Sequence, residues 1–301
     1  MTVCIAAICD GGQAGGKAIV TASDRKISTV SYSSDAMATK VFSFRNDWGA
    51  MYASEDVSGV PPILYAVQAA CTPKGSEYSE MVEIFTRVVQ STLRESSSQR
   101  VLSPFNLTME RFLEDGKEMF SKKQHEQIFD GLKSERLKTD FLVFGFDKKK
   151  QPHIFTVRDY GTSHERTGPT VECDDLTGFS NIGSGSDVAG SSMFFHGYNL
   201  FMKVEQAVYL VCQAKFMAET AEGVGRDTFA FVHRPRENTF PLMPKDMEKM
   251  RKYWESKGKP RIPKDAFTIT SQILGSAEDY ARKVDSGRAK ENKPYCNEVF
   301  K

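Results

Sequence analysis

The first 54 residues contain four apolar segments of strand length, and this β-rich opening constrains the fold more than any other part of the sequence. A glycine-rich turn separates the first two segments, and a polar turn separates the last two. Short apolar segments between turn residues are typical of antiparallel strands. The four segments are Val3–Ala7, Ala18–Ser23, Lys40–Phe44 and Ala50–Ser54. The sequence therefore predicts a chain that begins as antiparallel β-structure.

Thr2 lies directly before the first of these strands. The residue behind Met1 is small, so we expect Met1 to be removed, with no longer leader, and Thr2 to become the N-terminal residue. A terminal threonine combines a nucleophile and a base, since its α-amino group titrates at about 7.7–8.0 and can accept the proton of its own hydroxyl. Many unrelated chains also begin with Met-Thr, so Thr2 alone does not define a site.

Two charged residues in the following strands suit a buried ion pair. Lys40 is predicted to open the third strand, on the same face as the apolar Phe42 and Phe44. An unpaired buried charge is costly, and Asp24, at the end of the second strand, is the nearest carboxylate in sequence. A paired ammonium beside Thr2 would favour a neutral amine and a developing alkoxide. The alternative is a strand-end lysine that reaches water.

Three motifs in this opening resemble a known family. They are Thr-Val-x-Ile at residues 2–5, Ala-Ser-Asp-Arg-Lys at 22–26 and Thr-Lys-Val-Phe-Ser-Phe at 39–44. Together they resemble the start of a proteasome-type β subunit, of the bacterial kind, among the N-terminal nucleophile (Ntn) hydrolases. The resemblance implies that Thr2 attacks the substrate, that Lys40 tunes it and that Asp24 holds Lys40.

The same resemblance implies three supporting residues. Ala53 falls where the family places a backbone N–H donor for the oxyanion, and Ser184, in the Gly-Ser-Gly-Ser turn, falls where it places a hydroxyl beside the terminal amine. Glu222 is the best-placed acid in the loop that supports the site, although an alignment shifted by two residues would select Thr220. From the residues alone, the turn that contains Ser184 is also compatible with a phosphate cradle or with a helix cap supplied by Ser186 or Asp187.

The order of elements, with strands, helices, more strands, two helices and a last strand, predicts an α+β fold. The resemblance implies a four-layer αββα sandwich of the Ntn-hydrolase type over residues 2–234, with a helical elaboration at about 96–138. From Pro235 the chain has fifteen Lys or Arg against ten Asp or Glu. We expect residues 235–301 to form a basic C-terminal extension and not an independent domain.

Helical periodicity predicts helices over several segments, with a break at Ser96–Ser98. They are Glu55–Thr72, Glu77–Arg94, Phe105–Phe129, Lys203–Ala221, Asp246–Lys257 and Ala277–Val284.

Composition excludes several classes of function. The net charge of +1 gives no electrostatic case for nucleic acid or for an anionic membrane, and no stretch approaches twenty apolar residues. The six cysteines lack the density and spacing of a disulfide scaffold, so we expect free thiols and a cytoplasmic location. The five histidines fall at no metal-ligand spacing and are interpreted as structural or surface residues.

The sequence thus predicts a threonine-type amide hydrolase or peptidase that needs no metal or cofactor. The family resemblance implies a homo-oligomeric ring or spiral that acts on a peptide or a small amide. Two alternatives stay open: a non-peptidase amidohydrolase of the same superfamily and a catalytically silent structural subunit.

Overall fold

The computed structural model describes residues 2–11, 16–28, 33–34, 40–44, 47–73, 75–159, 169–235, 239–259, 269 and 271–272. The chain separates into two compact units, Met1–Trp254 and Glu255–Lys301. The first unit therefore extends beyond the predicted start of the extension at Pro235. The predicted helix Ala277–Val284 lies outside the described residues.

Within these residues, the strands form two five-stranded antiparallel sheets and one two-stranded ribbon. The first sheet has the order β10-β1-β2-β11-β12, and the second has the order β5-β6-β7-β8-β9. The strands are β1 (Cys4–Asp10), β2 (Lys17–Asp24), β3 (Ile27–Ser28), β4 (Ser33–Ser34), β5 (Val41–Ser43), β6 (Trp48–Ser54), β7 (Thr139–Phe146), β8 (Pro152–Arg158), β9 (Thr170–Cys173), β10 (Phe179–Ile182), β11 (Thr228–His233) and β12 (Phe240–Pro241).

The helices lie in three groups along the chain. Two follow β6, two more precede β7, and the others flank the last strands of the first sheet. They are α1 (Val60–Ala70), α2 (Tyr78–Ser97), α3 (Met109–Met119), α4 (Lys122–Ser134), α5 (Ser186–Phe195), α6 (Val204–Ala218) and α7 (Pro244–Tyr253).

Apolar cores lie on both faces of each sheet. In β1, Ile5 packs in a core shared with α5 and α6, whereas Ile8 packs between the sheets. In β7, Phe141 packs in a core shared with α1 and α2, whereas Leu142 also packs between the sheets. The sheets therefore pack on each other and helices cover their outer faces. The expected mixed α+β class, with antiparallel sheets, is confirmed.

The predicted elaboration forms helices around a small core of its own. Leu102, Phe112 and Ile128 are buried together in it. The bounds of the predicted amphipathic stretch Phe105–Phe129 were wrong, and the stretch contains two helices because Ser121 accepts a hydrogen bond from the Gln124 N–H and starts a new helix.

The predicted break at Ser96–Ser98 was also wrong. Helix α2 continues to Ser97, whose hydroxyl donates to the Leu93 carbonyl at 2.8 Å, and a π-turn over Ser98–Leu102 follows. A serine can stay in a helix when its side chain bonds the preceding turn in this way.

Four of the five histidines lie in the described part of the chain, and all four have structural contacts, His196 with the Gln213 side chain and the Phe195 ring. His125 stacks on Phe112, His153 contacts the Asp175 carboxylate at 2.7 Å, and His233 contacts the Thr21 hydroxyl at 2.9 Å. Burial lowers the pKa of His233 to about 4. In the described residues, no helix is both long and apolar enough to span a membrane.

Candidate active site

Thr2, Asp24 and Lys40 meet in a buried cluster at the start of β1. The Thr2 hydroxyl donates to Asp24 Oδ1 and accepts from Lys40 Nζ. Lys40 Nζ also donates to Asp24 Oδ1 at 2.9 Å. Thr2 is only 3% exposed and Lys40 only 4%, so little water screens these contacts. The arrangement places the Lys40 ammonium against the hydroxyl oxygen of Thr2.

Asp24 is fixed by backbone donors as well as by Lys40. The Val3 N–H donates to Oδ1 at 3.0 Å, while the N–H groups of Lys26 and Gly225 donate to Oδ2, each at 3.1 Å. Hydrogen bonds from backbone N–H groups to a carboxylate fix its orientation. Asp24 is therefore held in place and orients both Lys40 and the Thr2 hydroxyl.

Lys40 reaches this site in a way that differs from the prediction. Strand β5 begins at Val41, so the predicted strand start at Lys40 was wrong by one residue. Phe42 and Phe44 pack toward α1 and α2, whereas Lys40 contacts Asp24 on the first sheet. Because Lys40 precedes the strand, its side chain does not follow the alternation of β5.

Ser184 lies against the main chain of Thr2. The Thr2 nitrogen donates to Ser184 Oγ at 3.2 Å, and Ser184 Oγ lies 3.4 Å from the Thr2 carbonyl oxygen. Gly183 has a φ of +93°, and a Cβ there would lie 2.4 Å from the Thr2 carbonyl oxygen. Only glycine allows this turn to approach Thr2 so closely.

The same turn explains why a phosphate cradle is not supported. The Gly185 N–H donates to the Thr2 carbonyl at 3.1 Å and the Ser186 N–H to the Gly183 carbonyl at 3.0 Å, so both donors are used within the protein. Gly185 occupies the N-cap position and Ser186 is the first residue of α5, so the predicted cap by Ser186 or Asp187 was wrong.

Glu222 contacts the site through its backbone carbonyl and not through the carboxylate that was predicted to support it. Its carbonyl accepts from Ser184 Oγ at 3.2 Å, whereas the residue itself is exposed. The alternative residue, Thr220, donates to the Met217 carbonyl at the end of α6. The residue of this loop that contacts Asp24 is Gly225, through its N–H, a role that no side-chain pattern could reveal.

A network of buried charges holds this loop. The Lys215 side chain is fully buried, and its ammonium donates to the Glu219 carboxylate at 2.6 Å and to the carbonyls of Gly225 and Arg226 at 2.8 Å each. Arg251 of α7 donates to both carboxylate oxygens of Glu219 and to the same Arg226 carbonyl. Helix α7 therefore helps to fix the backbone donor of Asp24.

A cavity of about 460 Å³ opens beside Thr2. Ala53, the predicted oxyanion residue, lines it together with Thr2, Gly183 and Ser184. A second part of the lining was not predicted from the sequence: the strands β7, β8 and β9 contribute polar residues that include Asp140, Arg158, Thr170 and Glu172. The volume is in the usual range for a small-molecule site.

Cys4 is a poor alternative nucleophile. Burial, opposed by the charge of Lys40, raises the pKa of the Cys4 thiol to about 12, so the thiol stays protonated near neutral pH. The described residues contain no group of three or more His, Cys, Asp or Glu arranged to hold a metal ion.

Comparison with protein-family models found no match to this chain, and comparison with curated proteins found none either. The functional assignment therefore depends on the geometry of the site and on the resemblance of the three motifs.

Proposed function

We propose that the protein is an amide hydrolase that uses Thr2 as its nucleophile, of the proteasome-type Ntn class. The observation that carries this proposal is the contact of the Thr2 hydroxyl with both Lys40 Nζ and Asp24 Oδ1 in a buried cluster. A lysine and an aspartate that served only stability would not need to meet at the side chain of residue 2.

The proposed reaction has two steps. Thr2 Oγ attacks the amide carbonyl, its proton moves to the α-amine that removal of Met1 exposes, and the departing amine takes up that proton. Water then hydrolyses the resulting ester with the same α-amine as base, which restores the hydroxyl. Lys40 stabilises negative charge on Thr2 Oγ, and Ser184 keeps the amine in position through its contact with the Thr2 nitrogen.

The layered packing of the two sheets agrees with an αββα sandwich of the Ntn type. Thr2 precedes β1 with only Val3 between them, and β1 lies between β10 and β2 in the first sheet. We include this fold assignment in the proposal.

Self-association is the second part of the proposal. Phe194 and Phe195, at the end of α5, are 66% and 82% exposed, and Phe201 is 81% exposed. Exposed aromatic side chains close together in sequence favour an interface with another protein surface. We propose a homo-oligomer in which this segment contacts a neighbouring copy.

The test is covalent labelling followed by intact mass measurement. A β-lactone should add to wild-type protein that lacks Met1, and peptide mapping should locate the adduct on Thr2. Thr2→Ser keeps a hydroxyl and should retain slow labelling, whereas Thr2→Ala should abolish it without loss of fold. Labelling that persists in Thr2→Ala, or that requires retention of Met1, would refute the proposal.

A further inference from the structure

The cavity beside Thr2 contains ionisable groups that attack on an amide does not require. Asp140 and Thr139 begin β7, directly across from Ala53 and Ser54 of β6. Because Asp140 and Thr2 line the same cavity, a molecule held at Thr2 also comes within reach of Asp140.

Asp140 occupies a position that would ordinarily be apolar. Leu142 and Phe144 follow at two-residue intervals on β7, and both pack in the core between the sheets. Side chains alternate along a strand, so Asp140 lies on this same face, where the core gives way to the cavity. A carboxylate at such a place is costly unless it gains a partner.

The other four charged residues of the cavity form two ion pairs, and the Nε atom of Arg158 is buried without a hydrogen-bond partner among the described residues. Lys138 binds Glu55 at 2.9 Å, and Arg158 binds Glu172 at 3.4 Å. Three acids and two bases line the cavity, so Asp140 is the acid that forms neither of the two ion pairs. Its Oδ1 atom is buried and has no hydrogen-bond partner among the described residues.

We propose that Asp140 binds a cationic group of the substrate, so that the enzyme prefers amides that carry an amine or a guanidine. The inference deepens the proposed function and rests on it. A neutral group of the same size would leave the carboxylate buried without a partner, which is the usual basis of strong discrimination.

The electrostatics of the cavity agree with this role. Burial raises the pKa of Asp140 to about 6, against the opposing attraction of Arg158, and the charges of Glu172 and Asp159 add to the rise. A bound cation would stabilise the ionised form, so at neutral pH the site offers a carboxylate with unused capacity to bind positive charge. The cavity of about 460 Å³ can hold a lysine-like or arginine-like side chain together with the amide.

The first experiment measures binding without chemistry. We expect butylguanidinium to bind the wild-type full chain in an NMR titration, and butylurea, its neutral counterpart, to bind at least about tenfold more weakly. Asp140→Asn should remove this preference. Asp130→Asn, which makes the same change on the exposed surface of α4, should keep it. Equal binding of the two compounds, no binding of either, or a preference that survives in Asp140→Asn would overturn the inference.

The second experiment connects the site to the reaction. Peptide amides that differ only in lysine or norleucine near the scissile bond should differ in kcat/KM by at least about tenfold in favour of lysine, and Asp140→Asn should remove the difference. If selective butylguanidinium binding is observed but no electrophile labels Thr2, the Thr2 chemistry fails while the cation site stands. If Thr2 is labelled but lysine and norleucine amides react alike, the chemistry stands and the inference fails.

Discussion

Replacing Asp140 with asparagine should stabilise the protein at alkaline pH. Burial raises the pKa of Asp140 from 3.8 to about 6, so the folded chain binds this proton more tightly than the unfolded chain does. Ionisation of Asp140 therefore destabilises the fold as pH rises through about 6. The penalty is absent below about 4, where the carboxyl is protonated in both states.

The size of the effect follows from this pKa. A difference of about 2 in pKa corresponds to about 3 kcal/mol. The carboxyl keeps some contact with solvent, which screens part of the penalty, so we expect a gain of about 1–2 kcal/mol for Asp140→Asn above pH 7. The gain should fall to about half at pH 5.

Urea denaturation at pH 8, 6 and 5 measures the free energy of unfolding of wild type and variant. Asp130→Asn is the matched control, since it removes an exposed carboxylate from α4 and should change stability by less than about 0.5 kcal/mol at each pH. If Asp140→Asn is less stable than wild type at pH 8, or equally stabilised at pH 8 and 5, the carboxylate is not a buried charge without a partner.

Four further substitutions test the site, the network that supports it and the proposed assembly. Asp24→Ala should lower the free energy of unfolding by about 3–5 kcal/mol, because the buried Lys40 ammonium loses its carboxylate partner. Lys40→Ala should cost only about 1–2 kcal/mol, because three backbone N–H groups still donate to Asp24. Urea denaturation measures both costs, and β-lactone labelling of Thr2 should fail in each variant. Equal losses of stability in the two variants would show that the three backbone N–H groups do not hold Asp24 when Lys40 is absent. Lys215→Met should lower the free energy of unfolding by about 3 kcal/mol and slow the labelling of Thr2 in the folded protein, because the Gly225 and Arg226 carbonyls lose a charged donor. An unchanged labelling rate would show that this network does not support the site. Phe195→Ser should shift the proposed homo-oligomer toward monomer in light scattering, and an unchanged mass would exclude Phe195 from the proposed interface.

The part of the site that sequence could predict depends on side chains in the first forty residues. An unpaired lysine before an apolar strand needs a carboxylate, and this argument led from Lys40 to Asp24 even though the assumed strand position was wrong. The strand boundary shifted because Lys40 makes its contacts across to the first sheet instead of along β5.

The rest of the site depends on backbone groups and on the pairing of strands that are far apart in sequence. Gly225 contributes an N–H, and Glu222 a carbonyl, and neither group is distinguished by residue type. The role of Asp140 follows from the register of β7 against β6 and from the missed strand β9, which brings Glu172 beside Arg158. The residues of that part of the cavity lining lie on three strands, and Asp140 and Glu172 are 32 positions apart along the chain, so no local pattern predicts it.

The pairing of β1 also has a consequence for biosynthesis. Contacts at Thr2 and Asp24 join residues 182 and 201 positions apart, through Ser184 and Gly225. Such non-local contacts form late in folding, because a long loop must close before they repay its entropy. Thr2 therefore leaves the ribosome first, and its surroundings are complete only after Gly225 has left the ribosome, so the proposed activity should be absent during most of the synthesis of the chain.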